Sequence, residues 1–294
     1  MAHTHDGIDW PARLAAMRRA DEVNAQANGA VAERLVGLVG DAPTVVDIGP
    51  GAGGMSAALA TALQTRGGGR LVLVDAVPEL LEAAGAHVGQ VLGDAEGKVE
   101  VSSVRVDAAS DELAELLPEV DLVWASRVVH HLPDQQKGIE GLVRVLGPGG
   151  WLALAEGGLP GRYLPWDLGV GEPGLGARIS AAHVAWFADM RAGMAGVTRL
   201  PVGWNRALTD AGLAEVTSFS YLVDLPPPAT ELVQQSVVDW LSWTAAMTAE
   251  RLSAADQVAV ARLLDPIDPA YVGARDDVFI LGASTVHLGR KISG

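Results

Sequence analysis

The chain has 294 residues, of which 49% are hydrophobic and none is cysteine, and its formal net charge is −15 at pH 7. This length and hydrophobic content allow one large α/β domain, or one domain with a cap. The lack of cysteine excludes disulfides, cysteine nucleophiles and thiolate metal ligands. Because the charge is negative and Lys and Arg are scattered, nucleic acid is a poor candidate partner.

The first residues, MAHTHDGIDW, contain no basic segment followed by an apolar one. No uninterrupted apolar run approaches the roughly 18 residues that a membrane span requires. We therefore expect a cytoplasmic protein that does not bind membranes. We also expect His3 and His5 to lie in a disordered terminus.

Residues 1–43 are predicted to be a helical leader, because residues 10–40 are rich in Ala, Arg, Glu and Leu with helical spacing. Residues 44–156 alternate apolar runs with helical stretches. The predicted strands there are TVVDIG, RLVLVDA, VEVSSVRVD, VDLVWAS and WLALAEG. Five strands separated by helices predict a parallel sheet with helices on both faces. The glycines at 67–69 and the Pro-Gly-Gly at 148–150 are predicted as turns between units.

The pattern changes after residue 156. Residues 157–200 are predicted to be a lid or cap insertion, whose Gly- and Pro-rich first half (157–176) reads as an ordered loop and not as another strand. Residues 201–294 are predicted to supply the last two strands, separated by a helical insertion at about 226–275. The predicted fold class is α/β, with a doubly wound, mostly parallel seven-stranded sheet and helical cap insertions.

The stretch VVDIGPGAGG, residues 45–54, identifies a ligand-binding loop. Gly49, Gly51 and Gly54 have the spacing of a dinucleotide fingerprint, in which glycines permit a tight turn and close backbone approach. Asp47 precedes them, and its carboxylate would repel a pyrophosphate at the helix N-terminus. It favours a ligand with cationic or hydrogen-donating groups. The alternative is that the amides of its own turn satisfy Asp47.

Two further acidic residues end successive predicted strands, at the edge where open α/β sheets bind ligands. Asp75 closes RLVLVD and is placed to accept hydrogen bonds from both hydroxyls of a ribose. Asp107 closes VSSVRVD and can receive an adenine amino group, with the Ala108 amide donating to a ring nitrogen. A strand-terminal Asp is also often only a helix N-cap.

These motifs together resemble the core of a class I S-adenosylmethionine-dependent methyltransferase with a small-molecule acceptor. The resemblance covers residues 44–156 and depends on VVDIGPGAGG, LVLVDA, VRVDAA and the run from VDLVWASRVVHHLPD to VRVLGPGGWLALAE. It implies a Rossmann-like methyltransferase fold and S-adenosylmethionine as the cofactor. Amino-methylating nucleic acid enzymes have an Asn-Pro-Pro-aromatic run after the fourth strand, and this chain has WASRVVHH instead.

The resemblance also assigns roles by position. The loop from Asp47 to Gly53 would hold the amino acid moiety, Asp75 the ribose, and Asp107 with Ala108 the adenine. Ser126 and Arg127 would lie near the methionine portion. The full set of implied cofactor-binding residues is Asp47, Gly49, Pro50, Gly51, Gly53, Asp75, Ala76, Asp107, Ala108, Ser126 and Arg127.

His130 and His131 are the candidate catalytic residues, because they follow the fourth strand near the expected methyl donor. A general base helps when the acceptor is a hydroxyl or a carbon acid, and a free amine does not need one. The alternative is that HHLPD only starts the next helix, with Asp134 as its cap and the histidines packing. No His, Asp and Glu spacing is typical of a metal site, so no metal is predicted.

The acceptor is expected to be a small organic molecule, such as a secondary metabolite, methylated on O or N. Five of the eight tryptophans follow residue 160. Two interpretations fit them equally well: they belong to a cap that covers a flat acceptor, or they pack in the core. A homodimer through SWTAAMTAERL stays open. Two other functions remain open. The protein could bind the cofactor without transferring its methyl group, or it could be a nicotinamide-dependent oxidoreductase, although this chain contains no Tyr-x-x-x-Lys pair.

Overall fold

A computed structural model describes residues 10–93 and 98–292, so that His3 and His5 lie outside the described residues. The chain divides into two compact units. The first, which we call the core unit, contains the described parts of Met1–Gly157, Gly196–Tyr221 and Ser284–Gly294. The second, the insertion unit, contains Gly158–Ala195 and Leu222–Ala283.

One seven-stranded sheet organises the core unit, with strand order β3-β2-β1-β4-β5-β7-β6. The strands are β1 (Thr44–Ile48), β2 (Gly69–Asp75), β3 (Val99–Arg105), β4 (Val120–Ser126), β5 (Leu146–Arg162), β6 (Leu213–Leu225) and β7 (Ile280–Lys291). β1 pairs in parallel with β2 and β4, β2 with β3, and β4 with β5. The order therefore starts in the middle of the sheet and moves outward in both directions, which confirms the predicted doubly wound fold.

β7 is antiparallel to its neighbour β6. Arg290, near the end of β7, is bonded to Glu215, near the start of β6. Thr285, earlier in β7, is hydrogen-bonded to Ser220, later in β6. The sheet is therefore mixed, with a parallel majority as predicted.

The core unit has helices on both faces of its sheet, namely α1 (Trp10–Val36), α2 (Gly54–Thr65), α3 (Pro78–Leu92), α4 (Leu113–Leu116), α5 (Gln135–Val145) and α7 (Trp204–Asp210). The insertion unit contains α6 (Leu175–Ala192), α8 (Glu231–Thr248) and α9 (Ala254–Leu264). Successive residues of a strand face opposite sides, so Val45 joins the core formed with α1, α2 and α3, whereas Val46 joins the core formed with α5 and α7. Among the described residues, no helix is long and apolar enough to cross a membrane.

β5 is longer than the sequence pattern predicts. The Pro-Gly-Gly at 148–150 lies inside this strand, so the turn predicted there is wrong. A Cβ on Gly150 would lie 2.8 Å from the Val120 carbonyl oxygen, and the β4–β5 register shifts between Val120 and Leu122. These glycines thus mark a bulge and a close backbone approach within a strand. The strand also continues through residues 157–162, where only a loop was predicted.

The insertion unit has its own contacts. Arg178 on α6 forms a bidentate pair with the buried Asp256 on α9, at 2.7–3.2 Å. Tyr163 stacks on Trp240 with ring centroids 4.3 Å apart. His183 stacks on Trp186, and burial lowers its pKa. Aromatic packing therefore accounts for some of the aromatic residues in this part of the chain.

We expect Leu59→Ala to lower the free energy of unfolding by about 2–5 kcal/mol, because it removes a fully buried side chain on α2 and leaves a cavity. Leu116→Ala is the matched control, since the Leu116 side chain is 49% exposed and its loss should cost much less. Denaturant titration of both variants checks the difference. Equal costs would contradict the described core.

Candidate cofactor and active site

The loop between β1 and α2 has a backbone that only glycine adopts readily. Gly49, Gly51 and Gly53 have φ angles of 69°, 59° and 95°. Space is limiting as well, because a Cβ on Gly49 would lie 2.6 Å from the Val128 side chain, and one on Gly53 would lie 2.7 Å from the Ala84 backbone. The loop is therefore held against neighbouring elements on two sides, as a close approach to a ligand requires.

Asp47 is buried at the end of β1, with 1% of its surface exposed. Its Oδ2 accepts a hydrogen bond of 2.6 Å from the Ser56 hydroxyl on α2, so its partner is not an amide of its own turn. The pKa of Asp47 is raised to about 7, chiefly by burial; the Ser56 hydrogen bond opposes the shift, and the nearby charges of Asp21 and Asp75 add to it. A cationic ligand beside this carboxyl would favour its charged form.

Asp75 and Asp107 lie at the ends of the neighbouring strands β2 and β3. Asp75 Oδ1 accepts the Val77 amide at 2.9 Å, and burial raises its pKa, with the charge of Asp107 adding to the shift. Asp107 Oδ1 accepts the Ala109 amide at 2.8 Å, which gives it a local turn role as well. The predicted ribose and adenine residues are therefore close enough to interact electrostatically, and their ligand contacts stay predictions.

The remaining predicted cofactor residues lie at the same edge of the sheet. Ala76 directly follows β2, and Ala108 is partly buried against the core formed with α5. Ser126 ends β4, and Arg127 has a φ of 55°, an uncommon value for a residue other than glycine. The Arg127 amide donates to the Ala155 carbonyl oxygen at 3.1 Å, which fixes this strained turn onto β5. Such strain is often found at functional sites.

The structure brings His130 together with Glu156, a residue that the sequence did not single out. Glu156 lies in β5 and is 1% exposed. Its Oε1 accepts the amides of Val129 at 2.9 Å and His130 at 3.3 Å, and its Oε2 lies 2.6 Å from His130 Nδ1. The signal in the sequence was a single carboxylate that ends the apolar run WLALA.

This arrangement fixes the tautomer of His130. A carboxylate only accepts hydrogen bonds, so this contact is made with the hydrogen on Nδ1 of His130. A buried carboxylate beside a histidine is also the arrangement by which the third residue of a base-catalysed site orients the ring. His130 therefore has the geometry of a general base, although its ring is only partly buried.

His131 does not share this contact with Glu156. Its ring centroid lies 4.2 Å from that of His130, at a tilt of 52°. The helix-starting alternative is partly confirmed, since Asp134 Oδ1 accepts the Lys137 amide and caps α5. The segment therefore starts the helix and also holds one histidine against a buried carboxylate.

Two other histidines, for which the sequence showed no partner, have one in the structure. His287 lies with Nε2 3.2 Å from the Glu156 carbonyl oxygen and Nδ1 2.7 Å from Asn205 Oδ1, and burial lowers its pKa. His87 Nδ1 lies 3.3 Å from the Ala52 carbonyl oxygen in the glycine loop. Within the described parts of the chain, no group of three or more metal-binding side chains occurs.

Asp75→Ala should weaken S-adenosylmethionine binding by about 1.5–3 kcal/mol, because the ribose loses a charge-assisted hydrogen bond. Asp111→Ala is a control, since the Asp111 side chain is 99% exposed and pairs with Arg144. Calorimetric titration measures both affinities. Unchanged affinity for the Asp75 variant would refute the ribose assignment.

The buried Asp47 should make the cofactor-free protein less stable as the pH rises. Its pKa is raised from 3.8 to about 7 in the folded state, so the folded protein holds this proton more tightly than the unfolded chain. The free energy of unfolding should therefore fall between about pH 4 and pH 7. Asp47→Asn should make this decrease in the free energy of unfolding smaller. A change of 1 kcal/mol corresponds to about 2–4 °C in Tm.

Thermal unfolding without cofactor at pH 5 and pH 8 makes the comparison, with Asp111→Asn as the exposed control. If the Asp47 variant and the parent protein show the same difference in Tm between these pH values, the carboxyl is not the source of the effect.

Residues 46–152 match the family model described as a methyltransferase domain. No curated protein sequence matches the chain. A solved structure described as a methyltransferase from Bacillus halodurans is 17% identical, with a TM-score of 0.49, over 89% of this chain and 97% of that one.

Two more solved structures are similar to this chain at a comparable level. Phosphoethanolamine N-methyltransferase 2 from Haemonchus contortus, in complex with phosphomonomethylethanolamine and S-adenosylhomocysteine, is 16% identical, with a TM-score of 0.48, over 91% of this chain and 53% of that one. The (4+2)-cyclase SpnF is 19% identical, with a TM-score of 0.45, over 92% of this chain and 81% of that one. Because these structural similarities are weak, the assignment depends on the family model and on the seven-stranded sheet with its glycine loop. Together they identify a methyltransferase domain in this chain, whose cofactor is S-adenosylmethionine.

Proposed function

We propose that this enzyme transfers the methyl group of S-adenosylmethionine to a hydroxyl oxygen of a small organic molecule, such as a secondary metabolite. The observation that carries the proposal is the 2.6 Å contact between His130 Nδ1 and the buried carboxylate of Glu156. A free amine acceptor does not need a base, whereas a hydroxyl must lose its proton. A base oriented by a buried carboxylate therefore favours O-methylation over N-methylation.

The proposed reaction is an in-line displacement. Bound S-adenosylmethionine would supply an electrophilic methyl group, which the acceptor oxygen would take as the carbon–sulfur bond breaks and its electrons return to sulfur as a neutral thioether. The hydroxyl proton moves to Nε2 of His130, and Glu156 stabilises the resulting imidazolium. Because the sulfonium loses its charge, positioning and exclusion of water contribute most of the acceleration.

The other histidines are poorer candidates for the base. Both ring nitrogens of His287 are within hydrogen-bond distance of Asn205 or the Glu156 backbone. The His131 ring lies beside His130, but no contact with Glu156 orients it as His130 is oriented. His130 is therefore the histidine to which we assign proton transfer.

A small-molecule acceptor is supported by charge and by composition. The net charge of −15 disfavours a phosphate backbone. The insertion unit lies outside the family match and contains the stacked pairs Tyr163–Trp240 and His183–Trp186, with Trp166 72% exposed. We expect acceptor selectivity to depend on this unit, because aromatic side chains supply contact area at low entropic cost.

We expect His130→Ala to lower the single-turnover rate by roughly 10²- to 10⁴-fold, with S-adenosylmethionine affinity nearly unchanged. His131→Ala is the matched control and should keep most of the rate. Glu156→Gln should also slow the reaction, because a neutral amide stabilises the imidazolium less.

Rapid-quench measurements with methyl-labelled cofactor and a panel of phenols, alcohols and amines provide the rates. Full activity of His130→Ala on a hydroxyl acceptor would remove the base assignment. Turnover of amines alone would contradict the acceptor class. If the protein binds the cofactor and forms no S-adenosylhomocysteine with any acceptor, the non-methylating alternative becomes the better explanation.

A further inference from the structure

Helix α1, which precedes the family match, lies directly against the glycine loop. Its Met17 side chain is 3.2 Å from the position that a Cβ on Gly51 would take. One helical turn later, Asp21 Oδ2 accepts a hydrogen bond of 2.9 Å from the amide of Gly54, the first residue of α2. One face of α1 therefore follows the loop on which the cofactor is predicted to bind.

Asp21 acts as the cap of α2 from another helix. The residue at the N-cap position, Gly53, has no side chain with which to cap. A Cβ on Gly54 would lie 2.4 Å from Asp21 Cγ, so the carboxylate fits only because residue 54 is a glycine. A carboxylate at a helix N-terminus satisfies a free amide and is stabilised by the helix dipole. This amide is thus already bonded and is not available to the carboxylate of the methionine moiety.

The charge of Asp21 is coupled to the cofactor-site carboxylates. Burial raises the pKa of Asp21 to about 6, while the Gly54 amide and the charge of His87 on α3 act in the opposite direction. Asp21 in turn raises the pKa of Asp47, as Asp75 does. Three elements, α1, β1 and β2, therefore each contribute one carboxylate to a single interacting group.

Other charged groups face the same region. Arg18, Glu22 and Glu33 of α1 line a cleft of about 620 Å³ together with Asp21 and His87. The Glu22 side chain is exposed, unlike that of Asp21, so water screens its charge more strongly. Asp21 is thus the acidic residue of α1 that contacts the loop, through the Gly54 amide, and its charge also acts on Asp47.

The cofactor and its product differ in charge. At neutral pH, S-adenosylmethionine carries a sulfonium, an ammonium and a carboxylate, whereas S-adenosylhomocysteine lacks the sulfonium charge. We propose that Asp21 is a positioning residue of the cofactor site, which fixes the start of α2 and adds negative charge that stabilises bound S-adenosylmethionine more than bound S-adenosylhomocysteine. Methyl transfer removes the charge that Asp21 favours, so Asp21 contributes less to the affinity for the product than to that for the substrate.

The test measures binding without an acceptor, so its result does not depend on the proposed hydroxyl substrate. Asp21→Asn keeps an oxygen that can accept from Gly54 and removes the charge. We expect it to weaken S-adenosylmethionine binding roughly tenfold and S-adenosylhomocysteine binding much less, as the loss of one charge pair predicts. Glu22→Gln removes an exposed carboxylate of the same helix and should change neither affinity. Isothermal titration at pH 8 gives all the values.

The pH dependence supplies a second readout. In the parent protein, the preference for S-adenosylmethionine should decrease as the pH falls through about 6 and Asp21 becomes protonated. Asp21→Asn should show a smaller decrease, since Asp47 still titrates. Equal losses for both ligands in Asp21→Asn would mean a capping role alone and would overturn the proposal, as would unchanged affinities. If that variant does not fold, a preference in the parent protein that stays constant between pH 5 and pH 8 would overturn it.

Discussion

The close packing of the glycine loop, residues 49–54, is the constraint on which the site depends. The segment after β4 lies against Gly49, α3 lies against Gly53, and α1 lies against Gly54, each closer than a Cβ would permit. The loop therefore fixes three elements that are far apart in the sequence, and they in turn fix the loop. Because interiors pack to high density, a side chain at one of these glycines would displace the Val128 side chain, the Ala84 backbone or the Asp21 carboxylate and not merely fill a gap.

This packing brings negative charge into a partly buried region. Asp47 is almost fully buried, and Asp21 and Asp75 interact with it. Burying like charges is unfavourable unless a cation or hydrogen-bond donors offset the loss of hydration. A cofactor with net positive charge provides that offset, whereas a pyrophosphate would add to the repulsion. The electrostatics of the loop thus distinguish between the two ligands that the glycine spacing alone leaves open.

The sequence predicted the sheet well because β1 to β5 are apolar runs with clear helical segments between them. The prediction was wrong where glycines lie within a strand instead of a turn, as Gly149 and Gly150 do in β5. It missed the contact between His130 and Glu156, which are 26 residues apart and meet because β4 and β5 pair in register from Leu122–Trp151 to Ser126–Ala155. The Asp21–Gly54 contact depends likewise on helix packing, which no local pattern encodes.

The family match ends at residue 152 and begins at residue 46, so it includes His130 and excludes Asp21 and Glu156. The matched segment supplies the loop and strand ends that the donor requires, and methyl transfer from a sulfonium needs little beyond positioning. Whether a proton must also be moved depends on the acceptor. Glu156, the residue that we propose makes His130 a base, lies just beyond the matched segment, in β5. The matched methyltransferase domain therefore explains the choice of donor, while the Glu156 carboxylate is the basis of our proposal that the acceptor has a proton to lose.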